Sequence, residues 1–419
     1  MDGRPDLATP GRDPHVAGRN PLPDEALDAL VVVLDEVRLG RSRSRSELVA
    51  RTGLGRAIVG RRVGELIDRG LLEEGDVGPS TGGRPPRQLT FRADAGHVLV
   101  ADLGASSIDV AITSLDGRIL GHHGEPSRIE DGPDACLARV DDLFDALLHT
   151  TRAIPGALWG IGIGVPGPVE FHTGRPISPP IMPGWDGFPI PEFMAASYGA
   201  PVFVDNDVNV MALGELWRLQ RTLPNFLVVK VGTGIGCGIV CHGQVYRGAN
   251  GSAGDVGHIC VDPNGQRCHC GNQGCVEAMA AGPAIARMGT EAAQKGQSAM
   301  LADLLANAGA ITPEDVGQAS RAGDAAANAI IKLAGKLIGH MLASAVNFFN
   351  PSQVLISGGI SRIGPLFLAA IRQSVYHRSL ALSTRHLDIQ YAPLGERAGI
   401  IGAGALALHE TLRCRGRIV

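Results

Sequence analysis

The segment GHICVDPNGQRCHCGNQGCVE, residues 257–277, places one histidine and three cysteines within eighteen positions: His258, Cys268, Cys270 and Cys275. One imidazole and three thiolates form a complete tetrahedral ligand set for zinc. Because no position is left for water, such a zinc should fix a loop rather than hydrolyse a substrate. The sequence therefore predicts a structural zinc site.

Two alternatives to zinc are a disulfide knot and four unrelated side chains. Cys268 and Cys270 lie too close together for an unstrained disulfide, and the eight cysteines of the chain show no framework spacing. In a reducing compartment, clustered cysteines are more often metal ligands than disulfides. A zinc finger that contacts DNA is disfavoured, because no second Cys/His pair follows at finger spacing.

Composition limits the class of protein that this chain can be. With 419 residues and 44% hydrophobic content, it can form about two to four domains with full cores. Its net charge of -4 does not by itself indicate a nucleic-acid binder. The polar N-terminal stretch resembles no signal peptide, and no apolar run approaches the roughly 20 residues of a membrane span. We therefore expect a cytoplasmic protein without a membrane partner.

The N-terminal region has the pattern of a winged helix-turn-helix. Residues 1–22 have no periodic apolar face and are expected to be a flexible tail. In residues 23–92, three helical stretches precede two strand-like runs, and the second helix is predicted to have Ser46 as its N-cap. The strands are LLEEGD and RQLTFR, joined by the Gly- and Pro-rich loop VGPSTGGRPP. We expect residues 23–92 to form a DNA-binding domain.

Local charge favours DNA as the partner of this domain. Residues 38–69 contain nine arginines and three acids, for a local net charge of +6. On the third helix Val59, Val63 and Leu66 form the core stripe, which leaves the opposite face to solvent or a groove. An amphipathic bundle with a solvated arginine face is the alternative. The predicted DNA contacts are Arg56, Arg61 and Arg62 on the third helix and Arg84 at the loop tip, the last as a minor-groove probe.

The remainder of the chain has the pattern of a duplicated α/β domain. HVLVADLGASSIDVAITSLDGRIL and FLVVKVGTGIGCGIVCHGQVY both predict strand, glycine turn, strand, turn, strand, and helical stretches follow each. We expect two lobes facing a cleft: residues 93–204 with a C-terminal helix at 396–419, and residues 205–395 with the zinc loop. Glycine turns between strands expose backbone N–H groups that suit phosphate oxygens.

Several segments of this α/β region resemble one family. The glycine turns, GIGIGVPGPV at 160–169, MPGWDGFPI at 182–190, VDNDVN at 204–209 and above all the zinc segment resemble the ROK family of repressors and sugar kinases. The resemblance runs from about His97 to the C-terminus and implies an actin-like ATPase, ribonuclease H-like fold with two lobes. A winged helix ahead of this domain is similar to the arrangement of the family's transcriptional regulators.

The resemblance also implies site residues. The implied sugar ligands are Asn206, Asp207, Asp255, His258 and Glu277, with Asp207 as the general base of a kinase. The implied phosphate or ATP contacts are Asp102, Gly104, Gly232, Thr233, Gly234, Gly236, Gly358 and Gly359. Zinc is the expected cofactor, with ATP and Mg²⁺ only if kinase activity is retained. The alternative for VDNDVN is a strand-to-helix turn with Asx caps.

Two departures from the family pattern favour a sensor over a kinase. Ala105 stands where the kinases usually have glycine, which adds a Cβ and disfavours positive φ near phosphate. Asp255 stands where the family has a longer glutamate. We therefore predict a sugar-responsive repressor, dimeric or tetrameric, with operator DNA and a sugar or sugar phosphate as partners. The alternatives are an ATP-dependent sugar kinase with an appended DNA-binding domain and a zinc scaffold protein.

Overall fold

A computed structural model of the chain describes residues 24–77, 87–151, 157–219 and 222–417. It divides into two compact units. Unit 1 comprises Met1–Arg92 with His409–Val419, and unit 2 comprises Ala93–Leu408. The predicted flexible tail, residues 1–22, and the predicted minor-groove probe Arg84 lie outside the described residues.

Unit 1 contains three helices followed by an antiparallel hairpin, in the order predicted from the sequence. They are α1 (Asp24–Arg38), α2 (Arg45–Thr52), α3 (Arg56–Asp68), β1 (Leu72–Val77) and β2 (Arg87–Phe91). The core is formed by fully buried Leu34, Leu48, Val59, Val63 and Leu66. The predicted stripe of α3 therefore faces this core.

The N-cap of α2 differs from the prediction. Ser44, not Ser46, precedes the helix, and its hydroxyl accepts a hydrogen bond from the Glu47 N–H at 3.3 Å. The Glu47 carboxylate in turn accepts from the Arg43 N–H at 2.7 Å. Ser46 has only a hydroxyl contact with Ser44 at 3.0 Å. The N-cap and the helix start therefore lie two residues earlier than predicted, because the hydrogen bonds of Ser44 and Glu47 secure that start.

Unit 2 begins with a five-stranded sheet of order β5-β4-β3-β6-β9. The elements of this first lobe are β3 (Gly96–Leu103), β4 (Ser107–Ser114), β5 (Ile119–Pro126), α4 (Pro133–Thr150), β6 (Ala157–Val165), β7 (Val169–Glu170), β8 (Arg175–Pro176), α5 (Ile190–Tyr198) and β9 (Val202–Asn206). Strands β7 and β8 pair with each other in a separate two-stranded sheet. Strands β3, β4 and β5 are antiparallel, whereas β6 pairs in parallel with both β3 and β9. Leu99, Phe144, Ile163 and Trp185 are buried in the core of this first lobe.

A second sheet, of order β12-β11-β10-β13-β14, repeats this plan. Its elements are α6 (Asp207–Arg218), β10 (Phe226–Val231), β11 (Ile235–Cys241), β12 (Gln244–Tyr246), α7 (Val276–Ala280), α8 (Gly282–Gln294), α9 (Ala299–Ala308), α10 (Pro313–Arg321), α11 (Ala325–Phe349), β13 (Gln353–Ser357), α12 (Pro365–Arg378), α13 (Ala381–Thr384), β14 (Asp388–Tyr391) and α14 (Arg397–Arg417). Three antiparallel strands again precede two parallel ones. The predicted internal duplication is confirmed at the level of topology.

Helix α11 is the most apolar long element of the described chain. By length and composition alone it could cross a membrane, but 56% of its apolar window is buried inside the protein. Ile331, Ile338, Leu342 and Val346 belong to the core of the second lobe. Packing in this core accounts for the apolar character of the helix.

Helix α14 belongs to both units. Ala398, near its start, packs with α6 in a cluster that includes Met211 and Leu216. From His409 onward the helix belongs to unit 1, where the His409 Nε2 lies 3.5 Å from the buried carboxylate of Asp35. The sequence-based prediction assigned all of 396–419 to the first lobe, and the division between the two compact units falls at residue 409 of this helix.

Candidate functional site

The carboxyl ends of β3, β9, β10 and β13 meet at a cleft between the two sheets of unit 2. The cleft has a volume of about 1220 Å³, above the roughly 300–1,000 Å³ typical of small-molecule pockets. Ligands of α/β sheets bind outside the carboxyl ends of the strands. The residues predicted to contact sugar or phosphate all line it: Asp102, Gly104, Asn206, Asp207, Gly232, Thr233, Gly234, Gly236, Asp255, His258, Glu277, Gly358 and Gly359.

The four predicted zinc ligands converge at one edge of this cleft. One ligand atom from each of His258, Cys268, Cys270 and Cys275 lies within 4.8 Å of every other. The Sγ atoms of Cys270 and Cys275 are 3.7 Å apart, and the Cys268 Sγ is 3.5 Å from the His258 Nδ1. Tetrahedral zinc with Zn–S bonds of about 2.3 Å requires sulfur separations of about 3.8 Å. The cluster fits zinc.

The backbone of the loop fixes these ligands. The Cys268 N–H donates to the Asn272 carbonyl at 2.8 Å, and the Gly271 N–H donates back to the Cys268 carbonyl at 3.0 Å. Gly274 has φ +73, and a Cβ there would lie 1.6 Å from the Asp262 carbonyl oxygen. Burial raises the pKa of the Cys275 thiol to about 12. A cation is therefore needed to hold this sulfur as the thiolate.

His258 connects the cysteine cluster to the cleft. Its Nδ1 faces Cys268, while its Nε2 lies 3.8 Å from the Asp255 carboxylate, which is half exposed. The nearby Glu277 accepts a hydrogen bond from the Ile235 N–H at 2.9 Å. The side chains of His258 and Glu277 both line the cleft. The zinc cluster can thus orient an imidazole N–H toward a ligand without contacting the ligand itself.

Asn206 has a structural role at the cleft floor. As the N-cap of α6, its Oδ1 accepts from the Val208 N–H at 3.0 Å, and its Nδ2 donates to the Gly167 carbonyl at 2.9 Å. The Asx cap that the sequence left as an alternative is therefore present. Asn206 also lines the cleft, so its place is compatible with either role.

Sequence reasoning missed Lys230, which lies at the centre of the cleft floor. Its ammonium forms an ion pair with the buried Asp207 carboxylate. Asp102 lies close enough to both for charge interaction, and burial raises the pKa of its carboxyl to about 7. A single lysine within the apolar run FLVVKV was the available signal, because a lone charge in a buried strand requires a partner.

A second missed ion pair supports the VDNDVN segment. Arg247 donates to the buried Asp205 carboxylate at 2.7 and 2.8 Å, and its guanidinium lies 3.9 Å from the Phe171 ring centroid. Asp205 also accepts from the Asn209 side chain at 3.0 Å. This network orients the β9–α6 turn, which contains Asn206 and Asp207.

One sequence-based expectation about the first lobe, that Ala105 disturbs a backbone requiring positive φ, needs correction. Among the described non-glycine residues, positive φ occurs at Ser178, His242 and Asn350, so Ala105 is not strained in this way. Ala105 instead packs against the apolar core of its lobe. In the segment MPGWDGFPI, Trp185 is fully buried and donates its indole N–H to the Ile129 carbonyl at 3.0 Å. It supports the first-lobe core.

The predicted DNA-contacting residues of α3 divide into two groups. Arg56 and Arg61 are exposed, as the position of the core stripe predicts. Arg62 is only 4% exposed and pairs with Glu65 at 2.6 Å. Because its guanidinium is committed to this pair, we withdraw Arg62 as a direct DNA contact. Arg84 is outside the described residues.

Comparisons with known proteins identify the family. The profile of the ROK family matches residues 98–410. The chain belongs to the ROK family. It is 33% identical to a putative xylose repressor of Caldicellulosiruptor sp. (strain Rt8B.4), over 91% of this chain and 96% of the relative. It is 34% identical to a glucokinase of Halalkalibacterium halodurans, over 73% of this chain and 93% of the relative.

Two solved structures, a regulator and a kinase, differ in the same way in how much of this chain they cover. A ROK family transcriptional regulator described as a homologue of the E. coli MLC protein matches with a TM-score of 0.81 and 28% identity, over 94% of this chain and 99% of that chain. A ROK glucokinase from Streptomyces griseus, in complex with glucose and AMPPNP, matches with a TM-score of 0.64 and 28% identity. That match covers 74% of this chain and 98% of the kinase. This ROK chain therefore has the fold of the sugar kinases and the length of the regulators.

Proposed function

We propose that this ROK protein is a sugar-responsive DNA-binding repressor of carbohydrate metabolism. The main observation is the extent of similarity: matches to repressors and to a regulator cover 91–94% of the chain, whereas kinase matches cover 73–74%. The additional length includes a unit with the helix and strand order of a winged helix-turn-helix. A repressor needs both this unit and a ligand cleft.

DNA binding is assigned to unit 1. The exposed start of α3 presents Arg56 and Arg61, and the short turn after α2 is closed by Gly53 with φ +70. In a helix-turn-helix the N-terminal residues of the second helix contact base edges in the major groove. In the sequence, Arg84 lies between β1 and β2, the two described strands of the wing.

The effector is assigned to the cleft. Asp207, His258 and Glu277 come from three separate segments and line one cavity with Asn206 and Asp255. Carboxylates, an amide and an imidazole can each bind sugar hydroxyls. Relatives named for xylose and N-acetylglucosamine repression support a sugar as the effector class. Zinc at the cysteine cluster would hold the His258 ring in place, and the reducing cytoplasm would keep its thiolates available.

Helix α14 supplies the connection between effector and operator. Gly399 lines the cleft, and a Cβ there would lie 1.8 Å from the Asp102 carboxylate. Further along the same helix, toward its C-terminal end, His409 pairs with Asp35 of α1. Closure of the lobes on a sugar would thus act on a helix that ends in the DNA-binding unit. A coupling of about 1–3 kcal/mol changes operator occupancy about 5 to 150-fold.

We further propose that the protein acts as a homodimer or homotetramer. Helix-turn-helix proteins bind two-fold operators as two-fold assemblies. The described surface exposes large apolar side chains at Phe348 (93%), Leu380 (71%) and Leu382 (79%). Apolar groups of this size at one edge are typical of self-association surfaces.

A test uses the full-length, zinc-loaded protein to select operator fragments from random or genomic DNA. We expect selection of a two-fold site and a change in its affinity with one sugar from a panel of hexoses, pentoses and amino sugars. ATP consumption with the same panel distinguishes the repressor from the alternative, a sugar kinase with an appended DNA-binding domain. Sugar phosphorylation at ordinary kinase rates, about 1–100 per second, without any selected operator would contradict the proposal.

A further inference from the structure

Three charged side chains meet at the floor of the cleft. Asp102 comes from β3, Asp207 begins α6, and Lys230 comes from β10. The Lys230 ammonium is paired with Asp207, and the two side chains are 24% and 6% exposed. The Oδ1 of Asp102 is shielded from solvent and has no hydrogen-bond partner among the described residues. This triad lines the same cleft as the glycine turns.

Two converging carboxylates are the type of donor set that binds Mg²⁺ together with substrate phosphates. Here one of the two is already neutralised by an ammonium group from the chain itself. Burial disfavours the charged lysine, but Asp207 and Asp102 outweigh that effect and leave the pKa of Lys230 above its ordinary value. Lys230 therefore remains a cation at neutral pH, and a divalent ion in the same place would be repelled.

We propose that Lys230 takes the place of a divalent metal between Asp102 and Asp207, so that the cleft binds an uncharged sugar without metal or nucleotide. The inference deepens the proposed function and rests on it for the identity of the ligand as a sugar. Lys230 is in this sense a specificity-determining residue. Lys230 accounts better than Ala105 for sugar sensing without phosphorylation on a kinase fold, because Ala105 does not have positive φ.

The other end of the cleft points to the same ligand class. Arg362 pairs with Glu396 at 2.6 Å and with Glu314 at 3.4 Å. Among the described lining residues, carboxylates outnumber lysine and arginine seven to two, and both cations are engaged. A phosphate ester would bring a dianion into this acidic cleft with no uncommitted cation to receive it. A neutral sugar meets no such penalty.

The first test measures Mn²⁺ binding by electron paramagnetic resonance, using zinc-loaded full-length protein. Wild type should bind no Mn²⁺ in the cleft. Lys230→Gln should bind Mn²⁺ with an affinity at least about tenfold above the lowest affinity that the titration detects, since removal of a neighbouring positive charge exposes both carboxylates to the metal. Adding Asp102→Asn should abolish that gain. Lys295→Gln is the matched control, because Lys295 is exposed and pairs only with Glu291 along its own helix.

Two results would overturn the inference: Mn²⁺ binding by wild type that Asp102→Asn removes, or no gain of Mn²⁺ binding in folded Lys230→Gln. If circular dichroism shows that Lys230→Gln does not fold, the comparison of wild type with Asp102→Asn decides alone.

The second test is calorimetry with glucose, xylose, N-acetylglucosamine and their phosphate esters, with and without Mg²⁺. The sugar that binds should do so equally with and without Mg²⁺, and its phosphate should bind at least about tenfold more weakly. A tenfold gain from Mg²⁺ or a preference for the ester would disprove the assignment. If no sugar binds, the proposed function fails, whereas the Mn²⁺ titration still decides the role of Lys230.

Discussion

The zinc loop and the floor of the cleft both gather anionic groups, but they differ in where the balancing cation comes from. Three cysteine thiols and an imidazole converge within 4.8 Å and need an external ion. At the cleft floor, Asp207 is paired with Lys230 of the same chain. On our proposals, the first arrangement makes the order of a loop depend on a bound metal, whereas the second makes the cleft floor independent of metal. Removing each cation in turn shows whether this difference is real.

Loss of zinc should have the largest effect. Cys270→Ser removes one of four ligands, and structural zinc is worth about 10–16 kcal/mol of binding free energy in small metal-dependent domains. We expect about one zinc per chain in wild type and none in the variant, with the sugar response lost and operator binding retained. Metal analysis and operator titration measure these quantities. Cys260→Ser is the control, because Cys260 is exposed and outside the ligand cluster. Reduced wild type without zinc would contradict the prediction.

Removal of the internal cation should come next. Lys230→Met leaves Asp207, which is 4% exposed, without its partner, and breaking a buried pair in this way costs about 3–5 kcal/mol. Urea unfolding of unit 2 measures the loss, with Lys295→Met as an exposed control expected within about 0.5 kcal/mol of wild type. Equal stabilities of the two variants would show that the Lys230–Asp207 pair contributes little.

The same contrast explains what could be predicted from the sequence. The zinc ligands fall within one short segment, so residue types and spacing were sufficient to predict the cluster. The triad of Asp102, Asp207 and Lys230 joins three distant strand ends, and only the packing of two duplicated lobes brings them together. Each glycine turn was likewise predictable from the sequence. The pairing of Lys230 with Asp207 between these turns was not.

Helix α3 shows the same limit on a smaller scale. The apolar stripe predicted its buried face and left Arg56 and Arg61 exposed, as the structure has them. Arg62 is adjacent to the stripe, is buried and pairs with Glu65 one turn later. The i,i+3 spacing of these two residues was the available signal, because oppositely charged side chains at this spacing are neighbours on a helix surface.

A pH dependence should distinguish the cleft floor from the zinc loop. Burial, then the nearby Asp207 and Asp109 charges, raise the pKa of Asp102 to about 7 against the pull of Lys230. The unfolded chain loses this proton near pH 4, so wild type should lose stability relative to Asp102→Asn as pH rises from about 4 to 7, by at most about 4 kcal/mol. The difference should be constant above pH 8. Chemical unfolding of both proteins at matched zinc content measures it, and a pH-independent difference would place Asp102 in a solvated environment.

The exposed arginines of α3 provide the smallest expected effect and a third kind of cationic site, open to an external anion. Arg56→Ala or Arg61→Ala should weaken operator binding by about 1–3 kcal/mol if the side chain contacts a base, and a phosphate contact should instead lower the salt dependence by about one ion. Sugar affinity and zinc content should not change, because both residues are in unit 1.

Arg62→Ala should act differently from these two variants. It removes a buried pair with Glu65, so it should lower the stability of unit 1 before it alters the specificity for DNA sequence. Salt-titrated binding to the selected operator and to a scrambled duplex separates these outcomes, with Arg128→Ala of unit 2 as the exposed control. If Arg62→Ala relaxes specificity at full stability while Arg56→Ala and Arg61→Ala bind as wild type does, the groove-facing side of α3 has been assigned wrongly.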